Sequence, residues 1–302
     1  MNELGMIFNA EFVYAALRVT TPILFASVGI LISDLAGVVN IAVEGGMLQA
    51  ALWGVLVSAR TGSAWIGLLT GVVSAMGIAA LLGYFHLRLR SDLILTGIAL
   101  NIFCSGSTVL FLYLFTGNKG ISSGVKSLVL PRCDIPGIAN IPILGEIVSG
   151  HNVLTYVAFV SVLIAYYMLY KTPYGLRLRA VGEHPQAAAS VGIRVNRVKM
   201  VALLLSGFFA GFGGVFLSMG YVSWFGRGMT AGRGFIGLVA ETLGGRSAFG
   251  ALWGSLVFGF TEAFAATAQA FRIPAEFANA IPYIAAIVAF VAYANRRRHS
   301  TR

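Results

Sequence analysis

The chain has 302 residues, of which 58% are hydrophobic and only 11% charged, with a formal net charge of +10. Soluble domains carry about 25% charged residues, so these few charges cannot coat a globule of this length, and an all-α, polytopic membrane protein is the class that remains. The surplus of Lys and Arg does not read as a nucleic-acid footprint. It falls in short loops and at Arg296, Arg297, Arg298 and Arg302, the positive-inside pattern of a membrane protein, not on a basic stripe of a soluble domain.

The first residues hold Glu3 and Glu11 and no basic run, so the first apolar stretch is expected to be a permanent span and not a cleaved leader. A crossing takes about 20 apolar residues. Clear candidates lie at 13–33, 64–86, 93–115, 153–170, 200–221, 248–270 and 277–293. Two more are ambiguous: 38–59 contains Asn40, Glu44 and Gln49, and 234–243 is apolar but short. Residues 117–150 include three prolines, mixed charge and no long apolar run, so they read as an extracytoplasmic loop. Arg88 and Arg90, the loop 171–199 and the C-terminal arginines belong on the cytoplasmic side. Joining these assignments favours a crossing by both ambiguous segments, with a re-entrant or surface helix as the alternative for 234–243. The expectation is one transmembrane domain over 1–302 with about nine helices (8–10), one or two of them short or broken, the N-terminus outside and the C-terminus cytoplasmic. Gly67 with Gly71, Gly207 with Gly211 and Gly250 with Gly254 have the spacing that lets helices pack closely in lipid. Cys104 sits mid-span and Cys133 in a loop, too far apart for a disulfide.

Signatures of soluble catalysis are missing. There is no His-Glu-x-x-His, no Cys-x-x-Cys, no Gly-x-Ser-x-Gly and no phosphate loop ending in Gly-Lys-Ser/Thr. The chain is therefore not expected to be an enzyme, and if transport is ATP-driven a separate subunit hydrolyses the ATP with its Mg. Acids inside spans are costly and face the bundle interior or water. Glu44 is read as structural, because Gly45 and Gly46 follow it and a helix break there needs its backbone satisfied. Glu262 is read as a helix cap or an interhelix hydrogen bond, and Glu241 lies in the short segment. The amides Asn40 and Asn101 could meet a sugar hydroxyl or a purine edge, or could bond a neighbouring helix. Trp53, Phe103, Tyr113, Trp224 and Phe225 could stack on a flat ligand, although Trp224 and Phe225 suit an interfacial aromatic belt.

The loop 171–199 carries Lys171, Arg177, Arg179, Arg194, Arg197 and Lys199 against Glu183. Pro173 and Gly175 are expected to end the incoming helix, Gly182 and Pro185 to bracket a turn, and 185–191 to form a short helix stopped by Gly192. That helix is small and uncharged in its body, as suits a socket in a partner protein better than a lipid surface.

These segments resemble a known family. The run 36–45, Ala-Gly-Val-Val-Asn-Ile-Ala-Val-Glu-Gly, resembles the first signature of permease subunits of bacterial ABC importers for simple sugars, branched-chain amino acids and nucleosides. Residues 174–185, Tyr-Gly-Leu-Arg-Leu-Arg-Ala-Val-Gly-Glu-His-Pro, with Ala187, Ala188, Gly192 and Ile193, are similar to its cytoplasmic coupling segment. Residues 232–240 with Leu243, Gly244 and Gly245 are similar to its late Gly-rich motif. The nucleoside branch is the most similar. One departure is Ala248, where the family often has proline, which puts the local helix start in question. The resemblance implies a permease subunit in a bacterial plasma membrane that forms half of a substrate pathway by alternating access. Its implied partners are ABC ATPase subunits, a second homologous permease and an extracytoplasmic substrate-binding protein. It further implies that 180–191 contacts the ATPase, with Gly182, Glu183, His184, Pro185, Ala187, Ala188 and Gly192 as the coupling residues, and that Asn40, Glu44 and Asn101 border the pathway, where Phe103 could stack on substrate. Two readings from other classes stand beside it: a self-sufficient secondary transporter or channel, and a structural membrane subunit. The sparse acids inside the spans argue against a proton-driven carrier.

Overall fold

The computed structural model of the chain describes residues 9–122, 124–134, 144–270 and 284. It is an all-α bundle. In chain order the elements are α1 (Ala10–Leu35), α2 (Val43–Thr61), α3 (Ala64–Leu87), α4 (Leu93–Thr116), β1 (Arg132–Cys133), α5 (Leu144–Val148), β2 (His151–Asn152), α6 (Val153–Lys171), α7 (Pro173–Glu183), α8 (Pro185–Ser190), α9 (Val195–Met219), α10 (Arg233–Leu243) and α11 (Ala248–Ala270).

Six of the described helices are long and apolar enough to cross a membrane: α1, α3, α4, α6, α9 and α11 over Ala248–Thr267. The expected nine are thus not reached among the described residues. α2 has 19 residues but includes Glu44 and Arg60, α10 has 11, and the expected span 277–293 lies outside the described residues. α2 also starts later than expected. Residues 36–42 are not helical, although Ala36, Val38, Asn40 and Ala42 are buried.

Short polar side chains set where the helices start. Asn9, Ser63, Asp92, Asn152 and Thr172 each accept a hydrogen bond from a backbone N–H in the first turn that follows, which satisfies a donor with no partner inside the helix. α11 begins at Ala248 without a proline, with Ser247 Oγ accepting the Gly250 N–H at 3.1 Å.

α1 is the central post, buried from Thr20 to Ser33. It packs against α6, α9, α10 and α11, while α9 also packs against α2 and α3. The three spaced glycine pairs all lie at close helix contacts. Gly67 and Gly71 face the carbonyls of Gly54 and Ala50, Gly207 and Gly211 face α3 at Ala75 and Val72, and Gly250 and Gly254 face Gly244 and Ala240. α4 lies at the edge and exposes Leu95, Ile102, Phe103 and Leu114.

The bundle has two distinct ends. At the loop end, α1, α3 and α6 finish and the 171–199 segment sits, with Gly83 beside Met200 and Gly182 beside Leu35. At the far end, β1 pairs antiparallel with β2, Arg132 opposite Asn152 and Cys133 opposite His151. Asn152 ties this end together. Its Oδ1 accepts the Leu154 N–H, and its Nδ2 donates to the carbonyls of Leu130 and Gly220, both at 2.9 Å. Cys104 and Cys133 are both free, the first buried and the second exposed.

His151 is buried at the far end and stacks on Tyr14 with ring centroids 3.9 Å apart. Its Nε2 lies 3.0 Å from the Ile147 carbonyl, which can only accept, so Nε2 carries the proton and Nδ1 accepts from the Tyr221 hydroxyl at 3.1 Å. Burial favours the neutral form of this ring. Burial is the main cause that holds its pKa below the usual histidine range, and the nearby charge of Arg18 acts in the same direction. The unfolded chain then binds a proton at higher pH than the folded chain, so this contribution to stability is present above about pH 6.5 and is lost as pH falls toward the depressed folded value. A melting series in detergent from pH 7.5 to pH 5 is expected to show a falling midpoint. His151→Phe, which keeps a stacking ring, is expected to lower stability by about 1–2 kcal/mol and to flatten that slope. An unchanged slope in the variant would remove His151 as its source.

Candidate functional site

The residues singled out in 36–45 form a junction inside the bundle. Gly45 packs on Asn101 and Cys104 of α4. Those residues lie roughly 12–17 Å along α4 from its start, about half the thickness of a hydrocarbon core. α2 therefore begins inside the bundle, and its first N–H groups have no water to meet. Asn101 spans the break. Its Oδ1 accepts the Gly45 N–H and its Nδ2 donates to the Ile41 carbonyl, both at 2.8 Å. Asn40 is buried. Its N–H donates to Ser33 Oγ at 3.1 Å, and its Nδ2 donates to Ser206 Oγ at 3.0 Å. Among the described residues its Oδ1 has no hydrogen-bond partner, and neither does the Ser27 hydroxyl.

Glu44 joins two broken helices. Its Oε1 accepts the Gly232 N–H at 2.9 Å and its Oε2 accepts the Gly234 N–H at 2.7 Å. These amides sit at the N-terminus of α10, where the helix dipole favours a negative charge. A Cβ on Gly234 would lie 2.7 Å from Glu44 Oε2 and 2.8 Å from its Cα, so only glycine admits this approach. Gly232, at φ +81°, supplies the left-handed turn into the helix. Arg233 lies between the two capped amides and directs its guanidinium to Glu262 of α11 and to the Met229 carbonyl at 3.2 Å. Glu44 is thus structural, as its neighbouring glycines suggest, but the backbone it satisfies belongs to a segment 190 residues away. Glu262 is likewise an interhelix contact.

α10 runs from this junction toward the loop end. Gly237 packs on Ala26 and Ser27, Gly244 on Gly250, and Arg246 reaches α1. With 11 residues it covers roughly 16 Å. The preceding non-helical stretch, 220–232, is anchored at the far end, where the Phe225 N–H donates to Ser122 Oγ at 2.8 Å. Phe225 is fully buried there, which corrects its reading as a belt residue, whereas Trp224 is exposed.

At the loop end, Arg246 donates from Nε to Asp34 Oδ2 at 2.5 Å and from an Nη to the Asp34 carbonyl at 3.0 Å. Glu241, buried next to them, bonds Thr242 Oγ1. One residue past Leu35, α1 gives way to a turn in which Gly37 has φ +73° and lies against Gly182 of α7. A Cβ on Gly182 would come within 2.1 Å of the Leu35 carbonyl oxygen, so α7 is seated directly on the end of α1.

The loop itself departs from the expected pattern. The incoming helix does end just before Pro173, as expected, but a new helix follows at once where none was expected. α6 ends at Lys171, and Thr172 caps a new helix in which Pro173 is the first residue and Gly175 approaches the Leu169 and Met168 carbonyls. Proline needs no N–H partner in a first turn, so it opens a helix as readily as it stops one. Gly182 is helical, and His184 alone links α7 to α8. α8 ends at Ser190, and Gly192 follows at φ +85°. Among the expected coupling residues, Glu183, His184, Ala187 and Gly192 are exposed, while Ala188 is 5% exposed and faces inward.

The junction brings together Asn40, Glu44 and Asn101. Phe103 is 56% exposed on the outer face of α4 and is not part of it. Sequence reasoning missed Ser33, Ser206, Gly232 and Gly234. The glycines were visible within the late motif, but nothing in the spacing pointed to Glu44. Removing the Glu44 carboxylate leaves two amides inside the bundle without acceptors, so Glu44→Ala is expected to cost on the order of 3 kcal/mol. Glu44→Gln, which keeps one acceptor, should cost less. Hydrogen exchange read by mass spectrometry checks this: exchange across α10 should rise in Glu44→Ala, and unaltered exchange there would refute the cap.

The family described as "Branched-chain amino acid transport system / permease component" matches residues 12–290. The guanosine ABC transporter permease protein NupQ of Bacillus subtilis is 31% identical over 97% of this chain and 93% of its own length. The nucleoside ABC transporter permease protein NupC of Lactococcus lactis is 31% identical over 95% and 92%. A putative glucose ABC transporter permease protein of Haloferax volcanii is 30% identical over 89% and 80%. No solved structure matches the chain. The three motifs that meet around residues 34–45 thus lie within a match that covers nearly the whole chain, and the chain belongs to the branched-chain amino acid transport system permease family.

Proposed function

We propose that this chain is the permease subunit of an ATP-binding-cassette importer and forms half of the pathway for a nucleoside or a related small polar solute. The family match and the relatives named for guanosine and nucleosides support this reading. The relative named for glucose keeps a simple sugar as the second substrate class. Separate ATPase subunits hydrolyse ATP with Mg, a second homologous permease completes the pathway, and an extracytoplasmic binding protein delivers the solute. The loop 171–199 faces the cytoplasm and 117–150 the outside.

The observation that carries this reading is mechanical. α8 offers a short uncharged surface at Ala187, and α7 seats Gly182 on the end of α1. A push on α8 therefore reaches Leu35 and Gly37 through backbone contact and continues along 36–45 to the Glu44 cap on α10. Short helices that begin inside a membrane bundle commonly line substrate paths. In this reading Glu44 and Asn101 hold the shape of the junction and Asn40, with its unpartnered amide oxygen, borders the pathway. Phe103 reaches solute only where α4 faces the second permease.

Ala187→Arg is expected to reduce ATP-driven guanosine uptake to background in the assembled transporter while membrane insertion and melting stay unchanged. Ala188→Arg is a poorer test, because a buried position would disturb the loop itself. Normal uptake by Ala187→Arg would sink the coupling assignment. The purified chain alone in liposomes should conduct no guanosine; flux without ATPase subunits would favour the secondary-carrier reading.

A further inference from the structure

Arg177, Arg194 and Arg197 line a cavity of about 560 Å³ at the loop end, between α7, the turn after α8 and the start of α9. Small-molecule sites typically occupy about 300–1,000 Å³. The three guanidinium groups have neither a hydrogen-bond nor an ion-pair partner among the described residues, where the ion pairs are Arg233 with Glu262 and Arg246 with Asp34. Glu183, the acid of the loop, does not line the cavity. Three like charges around one space repel each other, and among the described residues no acidic side chain pairs with them.

The rest of the lining has a different chemistry. Val198 and Val201 of α9 line the same cavity and belong to a helix long and apolar enough to cross a membrane. Tyr174 lines it too, and its hydroxyl is buried without a partner. The cavity therefore combines three cations with an aliphatic lining, in which Val191 and Ile193 of the turn after α8 join Val198 and Val201. An acidic protein segment or a free phosphate would satisfy the arginines but has no use for the aliphatic wall.

We propose that this cavity holds the headgroup phosphate of an anionic phospholipid from the adjoining leaflet, with the start of an acyl chain along Val198 and Val201. Guanidinium forks match phosphate oxygens in geometry as well as charge, and the Tyr174 hydroxyl supplies one more donor near the glycerol. The lipid would brace α7 against α9 and so hold the α7–α8 turn in place. The inference depends on α9 lying in a bilayer, not on the identity of the transported solute.

The test uses the purified full chain in neutral detergent, titrated with phosphatidylglycerol, phosphatidylcholine or inorganic phosphate, with lipid retention read by native mass spectrometry and stability by melting. Phosphatidylglycerol should be retained and should raise the midpoint, whereas phosphatidylcholine and phosphate should not. Arg194→Gln with Arg197→Gln should weaken apparent phosphatidylglycerol affinity roughly tenfold or more. Arg88→Gln with Arg90→Gln removes equal charge from exposed positions at the same end and should leave affinity unchanged. Equal losses in the two pairs would mean general surface attraction, and a shift with inorganic phosphate alone would mean a free-anion site; either overturns the proposal. So does the absence of a phosphatidylglycerol preference in the unsubstituted chain, which is readable even if the variants do not accumulate.

Discussion

The carboxylate of Glu44 bonds the backbone amides of Gly232 and Gly234 within the body of the bundle, and much of the architecture depends on this contact. A helix that starts inside a membrane leaves several N–H groups with no water to receive them. This bundle contains two such starts, α2 and α10. Asn101 accepts the Gly45 N–H at the first and donates to the Ile41 carbonyl before it, and Glu44, itself in the first turn of α2, accepts two N–H groups at the second. One broken helix thus caps the other. The arrangement also provides a favourable place for an acid that would otherwise be costly in lipid, because it faces the positive end of a helix dipole.

The same short segment connects the interior with the loop end. Between Asp34 and Gly45 the chain meets Arg246, Gly182, Ser206, Asn101 and the start of α10 in turn. Most of these contacts involve backbone, and several admit only glycine. Such contacts have little slack, since a rigid backbone on both sides cannot absorb displacement by rotamer changes. That stiffness suits a part that must pass movement from a surface loop to a buried junction. Arg177, Arg194 and Arg197 open onto their own cavity and not onto the exposed Ala187 surface of α8.

Much of this was legible before any coordinates. Apolar runs located the six long helices, and Asn9, Ser63, Asp92 and Asn152 mark starts that follow from local capping alone. The spaced glycines pointed correctly to close helix contacts. The failures had local causes too. The incoming helix ends before Pro173 as expected, but the helix that follows was not foreseen, because a proline in a first turn and a glycine beneath a crossing backbone are both compatible with α7. The run 38–59 looked continuous because its hydrophobicity does not fall where the helix stops, at a buried but non-helical 36–42.

The sequence by itself determined the class of the protein, the positions of its long helices, the family motifs and the presence of a patterned basic loop, because each rests on composition or on neighbours within a few residues. Only the tertiary structure decided what Glu44, Asn101 and Gly182 do. Their partners lie 190, 60 and about 145 residues away in the chain, and no local periodicity encodes a contact over such separations. It also decided that Ala187 faces outward while Ala188 faces inward, since two adjacent alanines in a six-residue helix are distinguished only by what that helix packs against.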